Sequence, residues 1–294
     1  MHPAHHALCS GLFTMQKKNL IMTNSTPSMV SPQPWQLTLG RVPLLISIPH
    51  LGTLIPDELL AQMTPEATAC TDTDWHLDQL YGFAQGLGAS VLQAVYSRYV
   101  IDLNRPPGGE SLYPGQTTTG LCPTETFRGE PLYRPGSEPD AARIAQRLAA
   151  YWQPYHAALA QELERLLALH QHVLLWEAHS IASVLPRLFE GKLPDLNFGT
   201  ASGTSCAPDV LAAALEPLQG GPWTMVQNGR FKGGYITRHY GQPAHGVHAI
   251  QLELCQSLYM NEQAPYDYRP DTAARLQGDL QRSLSAALAA LPTD

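Results

Sequence analysis

Long apolar stretches, clustered basic residues and paired cysteines are all missing from this 294-residue sequence. No stretch approaches the roughly 20 apolar residues that a helix needs to cross a bilayer. The formal net charge is −7 and there is no run of five basic residues, which argues against nucleic-acid binding because phosphates are bound by basic surfaces. The composition, 44% hydrophobic and 15% charged, is typical of a globular chain.

The five cysteines are odd in number, widely spaced and never arranged as C-x-x-C. This spacing argues against both a disulfide framework and a structural zinc knuckle. We therefore expect a reducing compartment, the cytoplasm.

The first 35 residues differ from the rest of the chain because they show no helical or strand periodicity. Lysines 17 and 18 come too late for the cationic start of a signal peptide. We predict a flexible extension over residues 1–35, with "STPSMVSPQP" as a linker. Residues 36–294 contain no internal repeat and no second apolar core, which predicts a single domain.

Strand-like and helix-like patterns alternate over that domain and predict an α/β fold, a layered sandwich in which helices pack on a sheet. Ligands in such folds bind beyond the strand ends. The predicted strands are 42–48, 91–103 (one long strand or a hairpin), 173–176 and 246–254, and the predicted helices are 71–87, 138–170 (with Ser137 as N-cap and a kink at Pro154) and 272–291.

Polar side chains follow or interrupt four of these apolar runs. A lone histidine after a strand is more often structural, but a carboxylate inside an apolar run costs several kcal/mol unless it has a partner or a task. The four segments are "SIPHLG" with His50, "VIDLNRPP" with Asp102, Asn104 and Arg105, "LLWEAHS" with Glu177 and His179, and "AIQLEL" with Glu253.

Together these residue types predict a metallohydrolase site. His50, His179 and one acid would make a zinc site with three protein ligands and an open position. Nickel, cobalt or iron could take the place of zinc at such a site. A separate glutamate, Glu253, would be the general base for the attacking water, and we expect it to be ionised at neutral pH. Arg105 would clamp a substrate carboxylate through two parallel hydrogen bonds.

Eight segments between roughly residues 40 and 262 carry a resemblance to a known family: "ISIPHLGTLIP", "DTDWHLDQLY", "YSRYVIDLNRPP", "LYPGQTTTGLCPTETFRGEPLYRPG", "WEAHSI", "LPDLNFGT", "NGRFKGGYITRHYG" and "VHAIQLEL". Through these segments the chain resembles the N-formylglutamate amidohydrolase (N-formylglutamate deformylase) family.

The resemblance implies hydrolysis of N-formyl-L-glutamate to L-glutamate and formate in histidine degradation, with one zinc ion. It also implies a three-layer α/β/α sandwich around a mixed sheet, similar to that of zinc carboxypeptidases and aspartoacylase-type deacylases. By the same resemblance Asn104 and Arg105 grip a substrate carboxylate, Glu253 is the general base and Arg98 steadies the oxyanion. A second carboxylate of the substrate would be held by a cation of "GRFKGGYITRHYG", which offers Arg230, Lys232 and Arg238, and we select Arg238.

Two positions depart from the related enzymes. Their zinc motif has a glutamate three residues after the histidine, where this chain has Thr53, so the acidic ligand must come from elsewhere. We predict Asp74, with Asp72 and Asp78 as alternatives. An aspartate would also be expected where Glu177 stands, and this longer side chain would position or neighbour His179.

Two other functions remain open. One is a deacylase or carboxypeptidase-like hydrolase of another N-acyl acidic amino acid, and the other is a binding protein for acidic amino acids without catalysis. The presence of His50, His179 and Glu253 together favours an enzyme. The expected partner is a small molecule, not a nucleic acid or a membrane.

Overall fold

The computed structural model describes residues 32–112 and 115–293. The expected extension over residues 1–35 therefore lies almost entirely outside the described residues. Seven strands of the described chain form one sheet in the order β1-β3-β2-β4-β7-β5-β6. The strands are β1 (Trp35–Thr38), β2 (Leu44–Ile48), β3 (Ser90–Ala94), β4 (Val173–Ile181), β5 (Leu196–Gly199), β6 (Met225–Gln227) and β7 (Val247–Cys255).

The sheet is mixed, which confirms the predicted α/β class. β1 runs antiparallel to β3, and β5 runs antiparallel to β7, whereas the central neighbours β2, β4 and β7 are parallel. The helices are α1 (Asp57–Leu60), α2 (Pro65–Thr68), α3 (Leu77–Leu80), α4 (Ala84–Leu87), α5 (Ala141–Arg147), α6 (Gln153–Leu167), α7 (Pro208–Leu215), α8 (Tyr235–Tyr240) and α9 (Pro270–Ala289). No helix in the described ranges is long and apolar enough to cross a membrane.

Helices pack on both faces of the sheet because successive strand residues point in opposite directions. Leu174 and Trp176 of β4 belong to the apolar cluster that includes α7 and α9. Val173 and Leu175 of the same strand belong to a second cluster, which includes α6. Both faces of the central strands are therefore buried, as expected for parallel strands in an α/β fold.

Two predicted elements are shorter than expected. The helix predicted over residues 71–87 begins only at Leu77, because His76 has a left-handed backbone with φ of 60°, and a turn over residues 81–83 then separates α3 from α4. Asp72 and Asp74 consequently lie in irregular backbone before α3 and not at a helix start. The strand predicted over 91–103 ends at Ala94, and the chain then turns, with the Val100 amide donating to the carbonyl of Ser97.

The helical segment after residue 137 differs in two details from its prediction. Asp140, not Ser137, caps α5 by accepting a hydrogen bond from the amide of Arg143. The turn between α5 and α6, Leu148–Trp152, is a π-helical turn. Pro154, which has no N–H to donate, follows this wider turn, so the predicted irregularity lies just before the proline.

Candidate active site

One face of the central strands changes from apolar to polar along the strand direction. On β4, Val173 and Leu175 are followed on the same face by Glu177 and His179, because side chains alternate. β4 continues to Ile181, so the polar pair lies within the strand and not at its end as the sequence suggested. His179 is in register with Glu253 on β7, which brings the two side chains to the same edge of the core.

His50, Asp74 and His179 converge at this edge. Their potential ligand atoms all lie within 4.8 Å of one another, and all three residues are buried. Asp74 Oδ2 is 3.1 Å from His179 Nδ1 and 3.6 Å from His50 Nδ1. Of the alternatives, Asp72 is engaged through Oδ2 by the amide of Phe127, and Asp78 is exposed.

The chemistry of this cluster fits a divalent metal ion. His50 Nδ1 and Asp74 Oδ1 are buried and have no hydrogen-bond partner among the described residues, an arrangement that is costly unless something else satisfies them. Burial lowers the pKa of His179 to about 4, so this imidazole is neutral near pH 7, as a metal ligand must be. Burial alone would raise the pKa of Asp74, but the two neighbouring imidazoles outweigh it and hold that pKa below its usual range.

Asp102 joins the cluster to the arginines, a role that sequence reasoning did not assign. Its Oδ1 accepts hydrogen bonds from His50 Nε2 at 2.8 Å and from the amide of Asn104 at 2.9 Å. Its Oδ2 accepts from Arg98 Nη2 at 2.7 Å. Burial raises the pKa of Asp102, but His50, Arg98 and Arg105 lower it more, so the carboxyl is ionised. The available signal was its place in "VIDLNRPP", two residues before Asn104.

Neighbouring groups fix the side chain of Asn104 and both the side chain and the backbone carbonyl of Arg105. Asn104 Nδ2 lies 3.0 Å from His179 Nε2, and its Oδ1 accepts from the amide of Ile236 at 2.9 Å. Arg105 Nε donates to the carbonyl of Thr119 at 2.9 Å. Trp152 Nε1 donates to the carbonyl of Arg105 at 3.1 Å, which fixes the backbone beneath the guanidinium.

Glu177 neighbours His179, in agreement with its predicted position. Its Oε1 is 3.6 Å from His179 Nε2 and accepts a hydrogen bond from Ser47 Oγ at 3.0 Å. Burial raises the pKa of Glu177 well above the usual glutamate range, and the charge of Asp74 adds to this. Glu177 therefore belongs, with Ser47, to the buried polar side chains next to His179.

A cavity of about 60 Å³ opens in front of the cluster. Seven residues that the sequence singled out line it: His50, Arg98, Asn104, Arg105, His179, Arg230 and Glu253. Burial raises the pKa of Glu253 well above its usual range and Asp74 adds to the effect, while Arg98, Arg105 and Arg230 oppose it. Burial and Asp74 therefore oppose the expected ionisation of Glu253 at neutral pH, whereas the three arginines favour it.

Of the cations in the segment "GRFKGGYITRHYG", Arg230 lines the cavity and Arg238 does not. Arg238 Nε donates to the carbonyl of Gly233 at 2.8 Å, beside α8. Arg230 donates through Nε to the carbonyl of Leu188 and through Nη2 to the carbonyl of Thr117. The sequence named three cations in this segment, Arg230, Lys232 and Arg238, and did not show which of them lines the cavity.

The residues of the cavity lie inside the region that matches a known family. A model of the N-formylglutamate amidohydrolase family matches residues 42–260. N-formylglutamate deformylase of Pseudomonas aeruginosa is 53% identical over 252 residues, covering 85% of this chain and 94% of the relative. The N-formylglutamate deformylase of Pseudomonas putida is 51% identical over the same length and shares.

Solved structures resemble the fold described above. The crystal structure of N-formylglutamate amidohydrolase from Ralstonia eutropha JMP134 superposes with a TM-score of 0.73 at 26% identity, covering 88% of this chain and 98% of that one. A gene product of Agrobacterium tumefaciens has a TM-score of 0.68 at 18% identity, with 88% and 96% covered, and it shows likeness of fold alone.

Proposed function

The chain belongs to the N-formylglutamate amidohydrolase family and hydrolyses N-formylglutamate, and we propose that it does so with one divalent metal ion, zinc, held by His50, Asp74 and His179. The observation that carries this proposal is the cluster of three ligand atoms within 4.8 Å beside the glutamate-lined cavity. Two imidazoles and one carboxylate are a donor set that zinc favours. When bound, the ion would polarise the formamide carbonyl, lower the pKa of water and favour the ionised form of Glu253.

Glu253 is the proposed general base. It accepts a proton from the attacking water and passes that proton to the nitrogen of the leaving glutamate as the C–N bond breaks. Arg98 lines the same cavity, and its guanidinium is fixed by Asp102. A cation held in this way stabilises negative charge that develops on the carbonyl oxygen without having to reorganise.

Arg105 and Asn104 are proposed to bind one substrate carboxylate. The arginine fork matches a carboxylate bidentately, and the contacts with Thr119 and Trp152 fix its direction. For the second carboxylate we propose Arg230 in place of Arg238, since its charge lines the cavity.

The proposal also covers the type of sandwich fold, the cellular compartment and the metabolic pathway. Helices on both faces of the mixed sheet support a three-layer sandwich like that of zinc carboxypeptidases. The described cysteines are buried and unpaired, which suits the cytoplasm. A role in histidine degradation stays a prediction.

Two measurements on the purified protein test the proposed function. Steady-state hydrolysis of N-formyl-, N-acetyl- and N-succinyl-glutamate should show the highest kcat/KM for the formyl compound. Elemental analysis should find about one divalent metal ion per chain, with loss in His50→Ala and His179→Ala. Full metal occupancy in both variants would exclude this ligand set, and a preference for acetyl- or succinyl-glutamate would exclude the formyl substrate.

A further inference from the structure

A second cavity lies directly behind one wall of the active-site cavity. It has a volume of about 340 Å³, against about 60 Å³ for the cavity in front of the metal ligands. Two residues, Phe127 and Ile181, line both. The side chains of these two residues therefore form a partition between a small reaction chamber and a larger space.

The backbone that carries Phe127 is held rigidly. Phe127 lies in a tight turn in which the amide of Gly129, with φ of +88°, donates to the carbonyl of Thr126 at 2.9 Å. Arg187 Nη1 donates to the same carbonyl at 3.0 Å, and the amide of Phe127 donates to Asp72 Oδ2 at 2.8 Å. The partition is thus built into the fold and does not depend on a mobile loop.

The ring of Phe127 also lies next to the group proposed to steady the oxyanion. The Cζ atom of Arg98 is 4.6 Å from the ring centroid. Ile181 lies on β4 two residues beyond His179, and therefore on the same face as this proposed metal ligand.

A bound formamide has three substituents on its carbonyl carbon, and two of them have assigned neighbours. In the proposed function, the oxygen faces Arg98 and the metal ligands, and the nitrogen leads to the glutamyl part held by Arg105. The third substituent is the acyl group, which is a single hydrogen in a formyl compound. The partition is the part of the cavity wall that lies next to both Arg98, through Phe127, and His179, through Ile181.

We propose that Phe127, together with Ile181, sets the upper limit on acyl-group size. The ring leaves room for a hydrogen but not for the methyl group of an acetyl substrate. Replacing it with a small side chain joins the two cavities and creates room for a larger acyl group. This inference rests on the proposed function, because it assumes an N-acylglutamate substrate.

The test compares kcat/KM for N-formyl-, N-acetyl- and N-propionyl-glutamate in one set of variants. Phe127→Ala should raise the acetyl-to-formyl ratio by about 10- to 200-fold, the range that one methylene is worth in a tight pocket. The ratio within one variant cancels any general loss caused by the missing contact with Arg98. If Phe127→Ala does not fold, Phe127→Val and Ile181→Ala should each raise the ratio.

Two neighbouring leucines provide matched controls, because each lines only one of the cavities. Leu185 lines the larger cavity and Leu188 the active-site cavity. Leu185→Ala and Leu188→Ala should leave the ratio unchanged. An unchanged ratio in folded Phe127 and Ile181 variants, or a broader acyl range in Leu188→Ala instead, would overturn the proposal. A wild-type protein that prefers acetylglutamate would instead contradict the proposed function itself.

Discussion

The two faces of the central strands differ over the same few residues, because one face packs against helices and the other lines a cavity. On one face, Trp176 and Ala178 of β4 and Leu252 of β7 are fully buried and pack against helices. On the opposite face, His179 and Glu253 line a cavity. Since neighbouring residues of a strand point to opposite faces, adjacent positions can be changed to separate catalysis from stability.

Glu253→Gln should cause the largest loss of activity. The amide keeps the shape of the side chain but cannot accept the proton, and general-base catalysis typically contributes about 10²- to 10⁴-fold. The unfolding midpoint should stay the same or rise, because the variant no longer buries an ionisable group. Steady-state kinetics and thermal unfolding of the metal-loaded protein measure the two effects.

Glu162→Gln is the matched control for that variant, because Glu162 is also buried but pairs with Arg165 away from the cavity. It should retain the kcat of the wild type per folded molecule. A normal kcat in Glu253→Gln would assign the base to another residue.

Arg105→Lys should have the next largest effect on activity. Lysine keeps the charge but loses the planar fork, and hydrogen bonds to charged groups are typically worth about 1.5–3 kcal/mol. We expect kcat/KM for N-formylglutamate to fall about 10- to 150-fold with the metal content unchanged. Arg134→Lys, outside the cavity, should behave like the wild type. Equal kinetics in the two variants would show that Arg105 does not bind the substrate carboxylate.

Asp102→Asn should weaken metal binding by about 10- to 100-fold, the usual effect of removing a group that orients a ligand. Asparagine keeps one acceptor oxygen but loses the charge that pairs with Arg98 and orients His50. Metal titration by calorimetry measures the change. Asp195→Asn, a carboxylate bound to Thr224, is the control, and a wild-type metal affinity in Asp102→Asn would show that Asp102 does not support His50.

Leu252→Ala should have the smallest effect on activity, although Leu252 is the direct neighbour of Glu253. It removes buried methyl groups from the apolar face, and such changes lower the free energy of unfolding by about 2–5 kcal/mol. Denaturant unfolding should detect this loss, while kcat per folded molecule stays normal. A stable Leu252→Ala variant with low kcat would show that the two faces are not separable.

The sequence located the starts of β2, β4 and β7 to within two residues because a continuous apolar run is a local signal, but it ended β4 five residues early, where the run gives way to polar side chains. It placed His50, His179 and Glu253 in one site, and the structure brings all three to one cavity. The start of α3 only after His76 could not be predicted, since a left-handed residue without glycine leaves no clear pattern. The role of Asp102 was also missed, because its partner His50 is 52 residues away and only the folded chain brings them together.

The choice among the cations of "GRFKGGYITRHYG" shows the same limit. Arg230 and Arg238 are eight residues apart and chemically equal in the sequence. Their directions depend on how the segment passes over the end of the sheet, which is a property of tertiary packing. Residue type therefore limited the choice to the cations of this segment, and only the folded chain shows that Arg230 lines the cavity.

Because of the π-helical turn Leu148–Trp152, the directions of the side chains of Trp152 and His156 depend on the number of residues in this turn. Relative to a regular α-helix, a π-turn holds one additional residue, which rotates everything after it by about 100°. Trp152 and His156 depend on this rotation, since they bind the carbonyls of Arg105 and Leu103, on either side of Asn104. Deleting a single residue here would leave a continuous helix but misdirect both side chains, so insertions and deletions should be selected against in this turn.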